Sequence, residues 1–313
     1  MSKEGSESKT AIAAAMLGNI AVAVTKFIAA AFTGSSAMIS EGIHSIVDTG
    51  NGALLLFGIR ASRRPPDFDH PFGHGKELYF WSFVVAIAIF AVGCGTSIYE
   101  GVSHLLAPQP LGHPFWNYVV LGFAVLFEGT SWVFGWEAFR VTKGRRSVIE
   151  AVHKSKDPAS FMVLFEDSAA LLGLVIAFCG IAGGHLLNNP YFDGVASVLI
   201  GVVLGVIAFL LAYETKGLLI GEGVDKETLR RLRKLVEADE CVEHVSRMLT
   251  MHFGPRQILL TLEVTFRDKA RIREGVHRLQ TKLREEDPDI KWIYFASESV
   301  AREETASPVM VDD

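Results

Sequence analysis

Six stretches within the first 221 residues are each long and apolar enough to cross a lipid bilayer, and no other feature constrains the chain as much. They cover approximately residues 11–32, 36–59, 78–106, 114–139, 160–182 and 192–220. A hydrocarbon core needs about 20 mostly apolar helical residues, and six such runs in succession are hard to bury inside a soluble core. The charges follow the same partition. Residues 1–221 hold 30 of the 65 Asp, Glu, Lys and Arg residues, about 14% of that segment, and the last 92 residues hold the other 35, about 38%. This asymmetry indicates two solvents rather than two similar soluble domains. The apolar content excludes a largely disordered chain. The three scattered cysteines, Cys94, Cys179 and Cys241, exclude a disulfide framework. A net charge of −5 offers no case for nucleic acid. The opening MSKEGSESKT is polar, and the run behind it is too long for a signal peptide.

The loops orient the spans. Residues 60–76 carry Arg60, Arg63, Arg64 and Lys76, and residues 140–156 carry Arg140, Lys143, Arg145, Arg146, Lys154 and Lys156. The connections at 33–35, 107–113 and 183–191 carry neither Lys nor Arg. Ten cations against none places the two basic loops in the cytoplasm, and six spans return the chain to that side. The expected organisation is a cytoplasmic tail at 1–10, a six-helix transmembrane domain at 11–221 and a small cytoplasmic α+β domain at 222–298. Residues 299–313 read as a loose polar tail. Asp225 is suited to cap a helix reaching about Ala238. Gly254 and Pro255 mark a turn between two strands, and a second helix and a final strand complete an α-β-β-α-β order.

Charged side chains inside a membrane are costly and mark function. In span 2, Glu41, His44, Asp48 and Asn51 follow one another at helical spacing and share a face. A histidine and a carboxylate one turn apart supply a neutral nitrogen and an anionic oxygen, donors suited to Zn²⁺ and related divalent ions. Glu166 and Asp167 on span 5 bring further carboxylates, so a metal site between spans 2 and 5 is one reading and a buried hydrogen-bonded network is the other. Intramembrane hydrolysis has no support, because no H-E-x-x-H or nucleophile motif is present. Lys26, Glu100 and Glu128 are expected to line a pathway or pair with one another, and Asp193 to cap span 6.

The segments TGSSAMISEGIHSIVDTGN, DHPFGHGKELYFW and LFEDSAALLG, in this order, resemble the cation diffusion facilitator family of metal transporters, over essentially residues 10–298. Within it they are most similar to bacterial proteins related to the mitochondrial-type zinc transporter. The resemblance implies a homodimer in a bacterial inner membrane that exports Zn²⁺ in exchange for protons, with a metallochaperone-like cytoplasmic domain. Such a protein is a cation/proton antiporter rather than an enzyme and needs no cofactor. Co²⁺, Ni²⁺, Fe²⁺ and Cd²⁺ share the ligand types of Zn²⁺ and remain open as cargo. The implied transport ligands are His44, Asp48 and Asp167. The family commonly has a histidine four residues before the last of these, where this chain has Val163. Either Glu166 is the fourth ligand, reaching in through a local distortion, or water fills that position. The resemblance also implies a possible second metal in the loop, on Asp69, His70 and His74. Its cytoplasmic metal positions align with Ser246, Thr261, Phe295 and Ser297, mostly non-ligands, and His244, His252, His277 and Cys241 have no ligand spacing.

The expected mechanism is alternating access around a midplane site. Metal ligands must be deprotonated, so loading expels protons, and His44, with a reference pKa near ~6.5, is the natural switch. Gly42, Gly50, Gly52, Gly93 and Gly95 are expected to allow close, movable helix contacts. The alternative function is a non-transporting membrane metal sensor or scaffold acting through the cytoplasmic domain.

Overall fold

The computed structural model of the chain describes residues 16–25, 27–28, 31, 36–108, 114–144, 146–268 and 271–297. The two tails expected at 1–10 and 299–313, together with Lys26, lie outside these. The chain divides into two compact units between Leu219 and Ile220.

The first unit is helical. Its elements are α1 (Met16–Thr25), α2 (Ser36–Ala61), α3 (Glu77–Leu106), α4 (Pro114–Lys143), the short α5 (Val148–Lys154), α6 (Pro158–Leu186) and α7 (Tyr191–Ile220). Among the described residues four helices are long and apolar enough to cross a membrane: α3, Tyr118–Val141 within α4, α6 and α7. Helix α2 has 26 residues but carries Glu41, Asp48 and Arg60, which make it less apolar. Polar starts separate the helices. Ser147 caps α5 by accepting the Glu150 N–H, and Asp157 caps α6 by accepting the Ala159 N–H, with Pro158 in the first turn.

Helices α2, α3, α4, α6 and α7 close on one core that includes Leu55, Ile59, Val85, Phe139, Phe161, Met162 and Leu211. Facing outward, Phe90, Leu126, Phe178, Val206 and Phe209 stay exposed along four of these helices. So many large apolar side chains in water would form an aggregation surface, whereas hydrocarbon accepts them.

Helix α3 holds one π-helical stretch, Ile89–Cys94. Its following half meets α7 at very short range. A Cβ on Gly101 would lie 2.7 Å from Val198 N and 2.8 Å from Gly194 O. A Cβ on Gly201 of α7 would lie 2.6 Å from Ile98 Cγ1. Tight glycine contact also occurs at Gly58 of α2, 2.8 Å from Trp81 Cβ, and at Gly180 of α6, 2.6 Å from Ala196 Cβ, whereas Gly50 has nothing within 4 Å and the nearest neighbour of Gly95 is 3.9 Å away. The sequence shows that small residues recur, but only the rotation of the helices decides which of them face a partner.

The second unit comprises α8 (Lys226–Glu237), β1 (Val242–Gly254), β2 (Gln257–Phe266), α9 (Ile272–Glu286) and β3 (Ile290–Ser297). Asp225 caps α8 by accepting from the Glu227 and Thr228 backbone N–H groups. The sheet order is β1-β2-β3, with β1–β2 antiparallel across a short turn and β2–β3 parallel. Helix α9 is the crossover that a parallel pair requires. Alternate β2 residues Ile258, Leu260, Leu262 and Val264 are buried with Leu232 and Val236 of α8 and Leu279 and Leu283 of α9. One face of the sheet is thus covered by both helices. Asp239, at the end of α8, is buried and receives Arg278 Nη2 at 2.6 Å, Arg278 Nε at 2.8 Å and Lys282 Nζ at 3.1 Å. These bonds, led by those from Arg278, hold its carboxyl far below the usual carboxylate range.

Candidate metal centres

Four carboxylates of the helical unit lie where α2, α4 and α6 approach one another. Helix α2 carries Asp48, half-buried, and Asn51 one turn later, 3% exposed. Asn51 Nδ2 donates to Glu166 Oε1 of α6 at 3.0 Å. Asp167, the next residue, is 4% exposed and accepts from Ser131 Oγ of α4 at 2.7 Å. Asp48 lies close enough to interact electrostatically with both Glu166 and Asp167, and Glu128 of α4 adds a weaker interaction with Glu166. Glu128 and Ser131 are three residues apart, so one face of α4 presents both. Behind this cluster Trp132 Nε1 donates to Ser168 Oγ at 2.8 Å, and the hydroxyl donates to Leu164 O at 2.6 Å, tying α4 to α6.

Of the residues expected from the sequence, Asp48, Glu166 and Asp167 are brought together. The backbone of His44 lies on α2, one turn before Asp48, and the side chains of Glu41 and His44 fall outside the described residues. Glu166 reaches α2 from an α-helix with no break over its 29 residues, so no local distortion is involved. Val163 is buried among apolar side chains of the core and brings no donor. Glu100 is exposed on α3. Asp193 is the third residue of α7 rather than the residue before it, and its Oδ2 lies 2.9 Å from His104 Nδ1 at the end of α3. Ser131 was not expected from the sequence. Its signal was the helical spacing from Glu128, visible only once both were known to face α6.

A second group lies in the loop between α2 and α3. Among the described residues, one set of three His, Cys or carboxylate side chains brings its ligand atoms within 4.8 Å of one another: Asp67, His70 and His74. The carboxylate that joins the two histidines is Asp67, whereas Asp69 is exposed and outside the group. The reason is local. Asp67 Oδ1 accepts the His70 backbone N–H at 2.7 Å, Asp67 N–H donates to His70 O at 3.2 Å, and this turn folds the carboxylate back over His70. Gly73 then takes φ +79°, a conformation that favours glycine, and its N–H donates to His70 O at 2.9 Å. That bend brings His74 Nε2 to 3.3 Å from Asp67 Oδ2. The imidazoles of His70 and His74 sit 4.3 Å apart. His74 is 8% exposed, and its buried Nδ1 has no hydrogen-bond partner among the described residues. The His70 backbone N–H is the chief cause that holds the Asp67 carboxyl below the usual carboxylate range. An anionic oxygen and two imidazoles, whose ligand atoms lie within 4.8 Å of one another, fit a divalent cation.

In the second unit no comparable set forms among the described residues. Cys241 is buried, its Sγ 3.2 Å from Arg278 Nη2, and Ser246, Thr261 and Phe295 lie along the strands without a histidine or carboxylate cluster.

Residues 12–220 match the cation efflux transmembrane domain. The chain is 35% identical to the mitochondrial proton-coupled zinc antiporter SLC30A9 of Xenopus laevis over 243 residues, which cover 77% of this chain and 44% of that protein. It is 34% identical to the protein of the same name from Homo sapiens, over 77% of this chain and 43% of that one. It is 30% identical to metal tolerance protein C4 of Arabidopsis thaliana over 261 residues, 83% of this chain and 57% of that protein. The chain spans about half the length of these curated relatives.

Proposed function

The chain belongs to the cation efflux family, and on that premise we propose that it moves a divalent metal cation, first of all Zn²⁺, across a membrane in exchange for protons. The observation that carries this reading is the placement of Glu166 against Asn51 of α2 and of Asp167 against Ser131 of α4, with Asp48 near both, inside a bundle whose outer faces are apolar. Carboxylates gathered in an apolar surrounding attract a cation or protons and exclude neutral cargo. In this reading His44 joins them as the nitrogen donor, and Asp48, Glu166 and Asp167 each give an oxygen. Metal loading releases protons from the ligands, and protons arriving from the other side displace the metal.

Six spans then arise from α1 and α2 together with α3, α4, α6 and α7, with the termini and the second unit on the cytoplasmic side of the ten loop cations. The antiporters that this chain resembles are mitochondrial by name, and a bacterial inner membrane is the setting proposed from the chain's own motifs. Assembly as a homodimer is part of the same proposal. Asp67, His70 and His74 are proposed to hold a second divalent ion at the membrane surface, with Asp67 in the place that the resemblance gives to Asp69.

Protein reconstituted into vesicles with a trapped zinc-sensitive dye and an imposed pH gradient tests this. The parent should accumulate zinc against its gradient, and Asp48→Asn and Asp167→Asn should abolish accumulation. Zinc flux in both variants equal to that of the parent would remove the site, and parent flux indifferent to the pH gradient would remove the proton exchange.

A further inference from the structure

Each of the two adjacent carboxylates on α6 has one oxygen already taken by a neutral donor from a different helix. Glu166 Oε1 accepts from Asn51 Nδ2 at 3.0 Å, and Asp167 Oδ2 accepts from Ser131 Oγ at 2.7 Å. Both donors are themselves 3% exposed, so neither amide nor hydroxyl has bulk water as a competing partner, and breaking either bond would strand a buried polar group. An oxygen that accepts one such bond keeps a second lone pair, but the bond fixes the carboxylate's orientation and favours the other oxygen as the single metal donor.

We infer that Asn51 and Ser131 are specificity-determining positioning residues, which keep Glu166 and Asp167 monodentate and so restrict the site to ions that accept four donors. The inference rests on the transport site proposed above, with His44 and Asp48 giving one donor atom each. Under that arrangement the site presents one nitrogen and three oxygens, the tetrahedral number that Zn²⁺ and its near relatives accept. Releasing the two held oxygens would allow both carboxylates to chelate and would raise the count toward six. Six oxygen-rich donors are the environment of Mn²⁺ and Mg²⁺ rather than of Zn²⁺. Groups that orient metal ligands typically change metal affinity or activity by roughly 10- to 100-fold when removed. Here the effect would fall unequally on ions of different coordination number.

The test compares Zn²⁺ and Mn²⁺ transport by full-length protein in vesicles, reading kcat/KM for each ion in the parent, Asn51→Ala, Ser131→Ala and Ser131→Thr. The expected result is a Mn²⁺-to-Zn²⁺ ratio raised by roughly tenfold or more in both alanine variants, with Ser131→Thr, which keeps the hydroxyl, near the parent. A merely structural role would lower both ions in proportion. An unchanged ratio in both alanine variants, or a shift in Ser131→Thr as large as in Ser131→Ala, overturns the inference while leaving the transport site standing. A parent that carries neither ion, or an Asp48→Asn variant that behaves as the parent, overturns the transport reading and this inference with it.

Discussion

Replacing Gly101 by alanine should destabilise the membrane unit, although alanine is the better helix former. The added Cβ would lie 2.7 Å from Val198 N, 2.7 Å from Val198 Cγ2 and 2.8 Å from Gly194 O. Ordinary contact begins at 3.4 Å, so the backbone of α7 is about 0.6 to 0.7 Å too close. Two of the three atoms belong to the main chain and cannot rotate away, so the two helices must separate or turn. Overpacking a close interface costs about 1–3 kcal/mol, and backbone collision puts this case near the upper end. Alanine returns about 1 kcal/mol through helix propensity, leaving a net loss of about 2 kcal/mol. For a unit of this size that corresponds to a melting temperature lower by about 4–8 °C. Gly122 of α4 has nothing within 4 Å, so Gly122→Ala should move the other way, gaining about 0.5–1 kcal/mol. The assay is thermal unfolding of both variants and the parent in the same detergent. A Gly101→Ala protein that melts at or above the parent would refute the close approach of α3 and α7. Equal shifts in both variants would show that contact is not what distinguishes the two glycines.

Other expectations concern the ionisable groups. Loop zinc measured by equilibrium dialysis, on a background lacking the intramembrane ligands, should fall by roughly tenfold or more in affinity in Asp67→Ala and remain unchanged in Asp69→Ala; the reverse order would return the site to Asp69. Asp239 has a depressed carboxyl pKa, so its contribution to stability is complete above the ordinary carboxylate pKa of about 4 and is lost as pH falls through the lower folded value. Hydrogen exchange across residues 226–297 should therefore be slower in the parent than in Asp239→Asn at pH 6, with the gap closing only in strong acid; equal exchange at pH 6 would dismiss the Asp239–Arg278–Lys282 clasp. The exposed pair of Asp193 and His104 should matter little, with Asp193→Asn changing stability by less than about 1 kcal/mol in thermal unfolding.

Some of the candidate site was legible before any coordinates. His44, Asp48 and Asn51 are joined by helical spacing alone, and Glu166 and Asp167 stand out because charge is so sparse in the apolar runs. Adjacent residues on a helix point about 100° apart, however, and spacing cannot tell which neighbour each one meets. Glu166 turns to Asn51, 115 positions away, and Asp167 turns to Ser131, 36 positions away. The loop illustrates the same limit at short range. Asp67 and Asp69 both lie near the histidines in sequence, and the backbone hydrogen bond from His70 to Asp67, followed by the bend at Gly73, selects the first.

Apolarity, charge and turn chemistry are properties of single residues and their near neighbours, and they sufficed to separate an apolar helical unit from a charge-rich one. They also sufficed for the α-β-β-α-β order of the second unit, where Asp225 and the alternation of β2 act locally. What only the tertiary structure decided is which side chains share a space: Ser131 with Asp167, Asp67 with His74, and Gly101 with the backbone of α7. Those pairings depend on the rotation and register of whole helices, and these are set by the sum of many packing contacts rather than by any segment alone.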